Sequence, residues 1–217
     1  MMRLRFARAE GEPLILLCLG AHSDDTELGC GGAILTLLEQ HQGSRVVWTV
    51  FSGTAERAGE ARQGAARLLA AAGKSEVSVL GFRDGFSPSE IAGIKETFEA
   101  LKKHASPDVV FTHYNRDSHQ DHRILSELTW NTFRNDLILQ YEIPKYDPDL
   151  GNPNLLVPLE RATAAAKGAV LMETFASQRD RTWFEPSTFN GLMRLQGMQC
   201  AAPSGLAEGF YAPKLCL

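Results

Sequence analysis

Residues 13–20 read P-L-I-L-L-C-L-G, a continuous apolar run closed by turn residues, as expected of a strand buried on both faces of a parallel sheet. Residues 45–53 and 108–114 carry similar runs, and 77–82 and 137–142 shorter ones. The segments between them are helical in spacing. The first opens near Thr26, with acidic residues where they suit the helix dipole, and a second covers about residues 57–72. A third spans 88–105, where Ile91, Ile94, Phe98 and Leu101 form an apolar stripe and Lys95, Lys102 and Lys103 face water. Further helices are predicted over 123–133, 160–177 and 186–198, with Trp183 and Phe184 between the last two as core. Strand alternating with helix predicts βαβ units and a Rossmann-like three-layer α/β/α fold with a mainly parallel sheet. Residues 209–217 are expected to close it as an edge strand, where Pro213 is tolerated.

Composition narrows the class. A length of 217 residues suits one domain spanning 1–217, and 44% hydrophobic with 22% charged residues suits a packed core. A net charge of −4 and a pI near 5.9, with no basic run, argue against nucleic acid as a partner. Cys18, Cys30, Cys200 and Cys216 form no C-x-x-C pair and read as reduced thiols. No stretch has the length of a transmembrane helix, and residues 1–10 lack the apolar region of a signal peptide, so a cytoplasmic location is expected.

The chemistry gathers at two strand ends. The first apolar run leads into Ala21-His22-Ser23-Asp24-Asp25, and the 108–114 run leads into Asn115-Arg116-Asp117-Ser118-His119-Gln120-Asp121-His122. In open α/β sheets that C-terminal edge is where ligands bind. Imidazole nitrogen and carboxylate oxygen suit zinc or iron(II), and a catalytic zinc takes three protein ligands with one open position. His22, Asp25 and His122 fit that description, and Asp24 beside them could take a proton from metal-activated water. Cys30 is a further ligand to test. Iron(II) oxygenases use a similar set, but the helical segments disagree with their β-sandwich barrel.

The stretch A-H-S-D-D-T-E-L-G-C-G-G resembles the A-H-P-D-D-E-x-x-x-G-G signature of the PIG-L/LmbE-like zinc de-N-acetylases, and S-H-Q-D-H resembles their H-x-D-H. The resemblance implies that His22, Asp25 and His122 hold Zn2+, with Fe2+ as another candidate, and that Asp24 is the general base. It also implies that His119 polarises the substrate carbonyl and that Asp121 orients His119. Two departures are visible: Ser23 replaces a proline, and Thr26 stands where many members carry Glu. Neither is an expected ligand. The implied reaction is removal of an N-acetyl or other N-acyl group from an amino sugar or sugar conjugate, a small-molecule substrate. Members often assemble, which leaves a homo-oligomer open.

Three segments bear on substrate. Arg57-Ala58-Gly59-Glu60-Ala61-Arg62 resembles the family's R-x-x-E-A element. Glu60 and Arg62 read as a solvated face, whereas Arg57 is a candidate for binding substrate hydroxyls or phosphate. Asp84, before Gly85, is either turn chemistry or a substrate contact. The loop over 144–154, rich in Pro, Gly, Asn and Asp, is either part of the substrate wall or a solvent-exposed crossover. Two other readings remain. Gly29, Gly31 and Gly32 sit where dinucleotide folds seat a pyrophosphate, but G-x-G-G lacks the third glycine, so a non-hydrolytic nucleotide-binding module is the first alternative. A pseudoenzyme subunit is the second.

Overall fold

A computed structural model describes residues 11–215; residues 1–10, with the expectation about a signal peptide, and Cys216 lie outside the described residues. The apolar runs become strands β1 (Ile15–Gly20), β2 (Arg45–Ser52), β3 (Lys74–Phe82), β4 (Val109–His113) and β5 (Leu137–Tyr141). Between and after them lie helices α1 (Asp25–Gln40), α2 (Ala55–Leu68), α3 (Ile91–His104), α4 (Gln120–Phe133), α5 (Arg161–Thr174) and α6 (Pro186–Gln199). Two short strands, β6 (Leu155–Pro158) and β7 (Ala207–Tyr211), complete one seven-stranded sheet in the order β3-β2-β1-β4-β5-β7-β6. The first five strands pair in parallel, and β7 runs antiparallel to both β5 and β6.

Alternate side chains along the central strands feed two cores. Leu16, Cys18, Val46, Trp48 and Phe111 face one way, toward α1, α2 and α5 residues such as Ile34, Leu68 and Leu171. Leu17, Leu19, Val47, Phe51 and Val110 face the other way, toward Ile94, Phe98, Leu125 and Leu128 of α3 and α4. Each such buried side chain contributes about 1.5–3 kcal/mol. The 91/94/98/101 stripe packs as expected at Ile94 and Phe98, and Phe184 joins the first core with Trp183 against it.

The C-terminal strand differs from expectation. β7 is not an edge: it lies between β5 and β6, and Pro213 falls after it. The edge on that side is β6, whose four apolar but only partly buried residues, Leu155 to Pro158, are too few to announce a strand. β7 can be short because it is paired on both sides and buried from Ala207 to Phe210.

β1 is flanked by β2, reached by the next crossover, and by β4, reached much later. The chain runs outward from β1 to β2 and β3 and then crosses back past β1 to β4, so the strand order reverses between β1 and β4 and the cleft between their ends is the switch point of the sheet.

Candidate metal centre

The end of β1 turns directly into α1, so His22 lies in the turn, Asp24 at the N-cap and Asp25 at the first helical position. The Asp25 carboxylate folds back to accept the His22 backbone N–H at 2.6 Å, which fixes both residues. From the neighbouring strand, the 114–119 segment delivers His119 to the N-cap of α4 and His122 to its first turn.

The three expected ligands converge. His22 Nδ1 lies 3.1 Å from His122 Nε2 and 3.3 Å from Asp25 Oδ2, and His122 Nε2 lies 3.6 Å from Asp25 Oδ2. Ligands about 2.0–2.2 Å from a tetrahedral zinc sit about 3.3–3.6 Å from one another. The residues present therefore fit a zinc-sized cation, and all three are buried. Burial, with the nearby His113, lowers the His122 imidazole to about 4, the neutral form a metal needs. Burial alone would raise Asp25, but His122, His22 and His113 outweigh it and hold the carboxylate ionised.

Other groups could complete clusters of three, including His119 with His22 and His122, and His113 with Asp25 and His122. His113 is excluded as a ligand by two observations. Its ring stacks on His122 at 3.9 Å and 13°, so no ion can lie in both ring planes, and its Nε2 accepts the Ala21 N–H at 2.9 Å. It serves as a shelf beneath His122. Cys30 is also excluded: its thiol is turned to the Thr26 carbonyl.

Asp24 is buried, and Arg57 donates to its Oδ1 at 2.6 Å. Burial raises this carboxyl to about 6 against the pull of Arg57, with Asp25 adding to the rise. Arg57 is thus committed to Asp24, and its other terminal nitrogen reaches Asp84 only at 4.0 Å. Asp84 is 59% exposed and lies 3.0 Å from His22 Nε2. Gly85 adopts a φ of +79, so the Asp-Gly pair makes a turn and also brings a carboxylate to the cleft.

Asp121 behaves differently from the reading that it orients His119. Only its backbone N–H reaches His119 Nδ1, at 3.3 Å. The carboxylate accepts the backbone N–H groups of Gly85 at 2.7 Å and Ser87 at 3.2 Å and faces His22 Nε2 at 3.6 Å. It secures the loop that carries Asp84. Because His119 Nδ1 accepts, the neutral ring carries its proton on Nε2; burial and the charge of His22 lower its basicity.

Two supports were not assigned from the sequence. Asp117 Oδ2 pairs with His122 Nδ1 at 2.9 Å, the usual second partner of a metal-binding histidine. Lys145 lies 3.1 Å from the other Asp117 oxygen and 2.7 Å from Asp149, which accepts the Ser118 N–H. The signal for Asp117 was present, since it was the remaining acid of the 115–122 segment. Nothing local marked Lys145, but its contacts place the 144–154 loop against the segment that carries His119 and His122.

The glycines serve packing. A Cβ at Gly29 would collide with the Tyr141 ring, and one at Gly32 would meet Leu159 at 2.6 Å and Glu208 at 2.9 Å. Gly32 and Ala33 donate their N–H groups to Glu208, so the amides a pyrophosphate would need are taken.

Known proteins match the chain in family and in fold. The profile of the family described as PIG-L, GlcNAc-PI de-N-acetylase, matches residues 17–133, just over half of the chain and both halves of the cluster. The chain belongs to the PIG-L family. A relative, the uncharacterized deacetylase YaiS of Escherichia coli K12, is 31% identical over 140 residues that cover 59% of this chain and 74% of the relative. Among solved structures, the conserved protein TT1542 from Thermus thermophilus superposes with a TM-score of 0.72 at 22% identity, covering 94% of this chain and 96% of that one. The N,N'-diacetylchitobiose deacetylase from Pyrococcus horikoshii gives 0.65 at 20% identity over 93% and 83%. These two share the fold of the PIG-L chain described above. No helix among the described residues is long and apolar enough to cross a membrane.

Proposed function

We propose that this PIG-L family member is a zinc-dependent hydrolase that removes an N-acetyl or related N-acyl group from an amino sugar or sugar conjugate. The observation that carries the reading is the 3.1–3.6 Å triangle of His22 Nδ1, Asp25 Oδ2 and His122 Nε2 in a chain of a deacetylase family. A divalent cation held there supplies Lewis acidity, polarising a carbonyl and making water more acidic.

The remaining work falls to the side chains. Asp24, with Oδ1 fixed by Arg57, accepts a proton from the attacking water through its second oxygen. Its carboxyl near 6 suits a base that works at neutral pH and later returns the proton to the leaving amine. His119 presents Nε2–H to the carbonyl oxygen as negative charge develops there. Asp84, exposed at the cleft, receives substrate hydroxyls, and Arg57 acts chiefly through Asp24.

The test combines metal content with acetate release. One zinc per chain in the wild type, lost in both His22→Ala and His122→Ala, is expected, together with acetate release from N-acetylated sugars. Asp24→Ala should keep its zinc and lose about 10²–10⁴ in kcat. Wild-type protein that takes up no divalent metal would overturn the reading.

A further inference from the structure

Beneath the candidate centre, an ion pair from the C-terminal third of the chain reaches into the middle of α1. Glu208 of β7 and Lys167 of α5 are buried, at 2% and 3% exposure, and their charged ends meet at 2.6 Å. Lys167 Nζ donates to the Leu28 carbonyl at 2.6 Å, while Glu208 accepts the Gly32 N–H at 2.9 Å on one oxygen and the Ala33 N–H at 2.6 Å on the other. In an uninterrupted helix the Leu28 carbonyl and the Gly32 N–H are partners of each other. The pair therefore holds both ends of a single step of the ladder. Gly32 is what admits the carboxylate, since a Cβ there would meet its Oε1 at 2.9 Å.

The step held is one turn from the chemistry. Leu28 donates its own N–H to the Asp24 carbonyl at 3.0 Å, and Asp25 starts the same turn. Gly29, the next residue, lies against the ring of Tyr141, whose hydroxyl donates to Leu19 at the end of β1. Two buried charges are costly to keep unless their geometry is used.

We propose that Lys167 and Glu208 are positioning residues for the metal centre, gripping α1 between Leu28 and Ala33 so that Asp24 and Asp25 are held in register with His22 and His122. Both lie outside the segment that matches the family profile, so the last third of the chain completes a site whose ligands all lie in the first two thirds. The metal part of this inference rests on the proposed function; the grip on α1 does not.

The decisive protein is the double variant Lys167→Met/Glu208→Gln, studied beside both single variants. The singles leave one buried charge without its partner and should unfold more readily. The double removes both charges and should fold with wild-type circular dichroism. Amide hydrogen exchange across residues 22–33 should then quicken at least tenfold in the double variant, while the β2 and β4 strands keep wild-type protection. Zinc affinity, measured by chelator competition, should fall about tenfold or more. Unchanged exchange over 22–33 in the folded double variant would overturn the grip on α1, whatever the metal result. Quickened exchange with unchanged zinc affinity would overturn the link to the metal centre. Wild-type protein that binds no zinc would instead fail the proposed function, with the exchange result still deciding whether the pair positions α1.

Discussion

Glu27 is 1% exposed, and neither carboxylate oxygen has a hydrogen-bond partner on another residue. Burial pushes its carboxyl well above the usual range, so it sits in the fold as a neutral acid, not as the dipole-complementing charge its place in α1 suggested. The folded state then holds a proton that the unfolded chain releases above about pH 4.3, and this contribution falls as pH rises. Glu27→Gln is accordingly expected to stabilise the protein at pH 7 more than at pH 4, read as the difference in melting temperature between variant and wild type. Asp117 is the opposite case. The hydrogen bond to His122, with the neighbouring imidazoles and the Lys145 ammonium, overcomes burial and keeps it ionised. Asp117→Asn should weaken zinc binding about 10–100-fold without removing any ligand, measured by chelator competition.

At the scale of elements, the glycines of α1 and α2 separate packing from flexibility. Gly29→Ala drives a methyl into the Tyr141 ring and should destabilise the protein by about 1–3 kcal/mol in denaturant unfolding. Gly59, inside α2 with nothing within 4 Å of a Cβ, should gain roughly 0.5–1 kcal/mol on replacement by Ala. The helices and parallel strands were legible because each buries a stripe with its own period, as Ile94 and Phe98 illustrate. β6 was not, since an edge strand of four residues carries too short a pattern. Nor was the place of β7, which depends on strands distant in sequence. Asp121 lies within a recognised motif, yet its carboxylate bonds to Gly85 and Ser87, partners that sequence order does not reveal.

For the whole molecule, the acidic cleft sets the response to pH and to metal. Asp25, Asp84, Asp117 and Asp121 are all held below the ordinary carboxylate range by neighbouring imidazoles, backbone N–H groups or cations. Groups shifted this way stabilise the fold above about pH 3.9, and that stability is lost as pH falls through the lowered values. Metal-free protein should therefore lose melting temperature progressively below pH 4, less steeply when Asp117 and Asp121 are replaced by Asn. At neutral pH, free zinc at about 100 times its Kd should add about 2.7 kcal/mol, removable by a chelator. The sequence by itself determined the alternation of buried strands and amphipathic helices, and the two His/Asp segments at strand ends, because burial periodicity and ligand chemistry are written in adjacent residues. Only the tertiary structure decided which carboxylate serves which histidine, that His113 supports His122 without facing a metal, and that Lys167 and Glu208 reach α1, because those contacts join residues whose meeting depends on strand order and crossover direction.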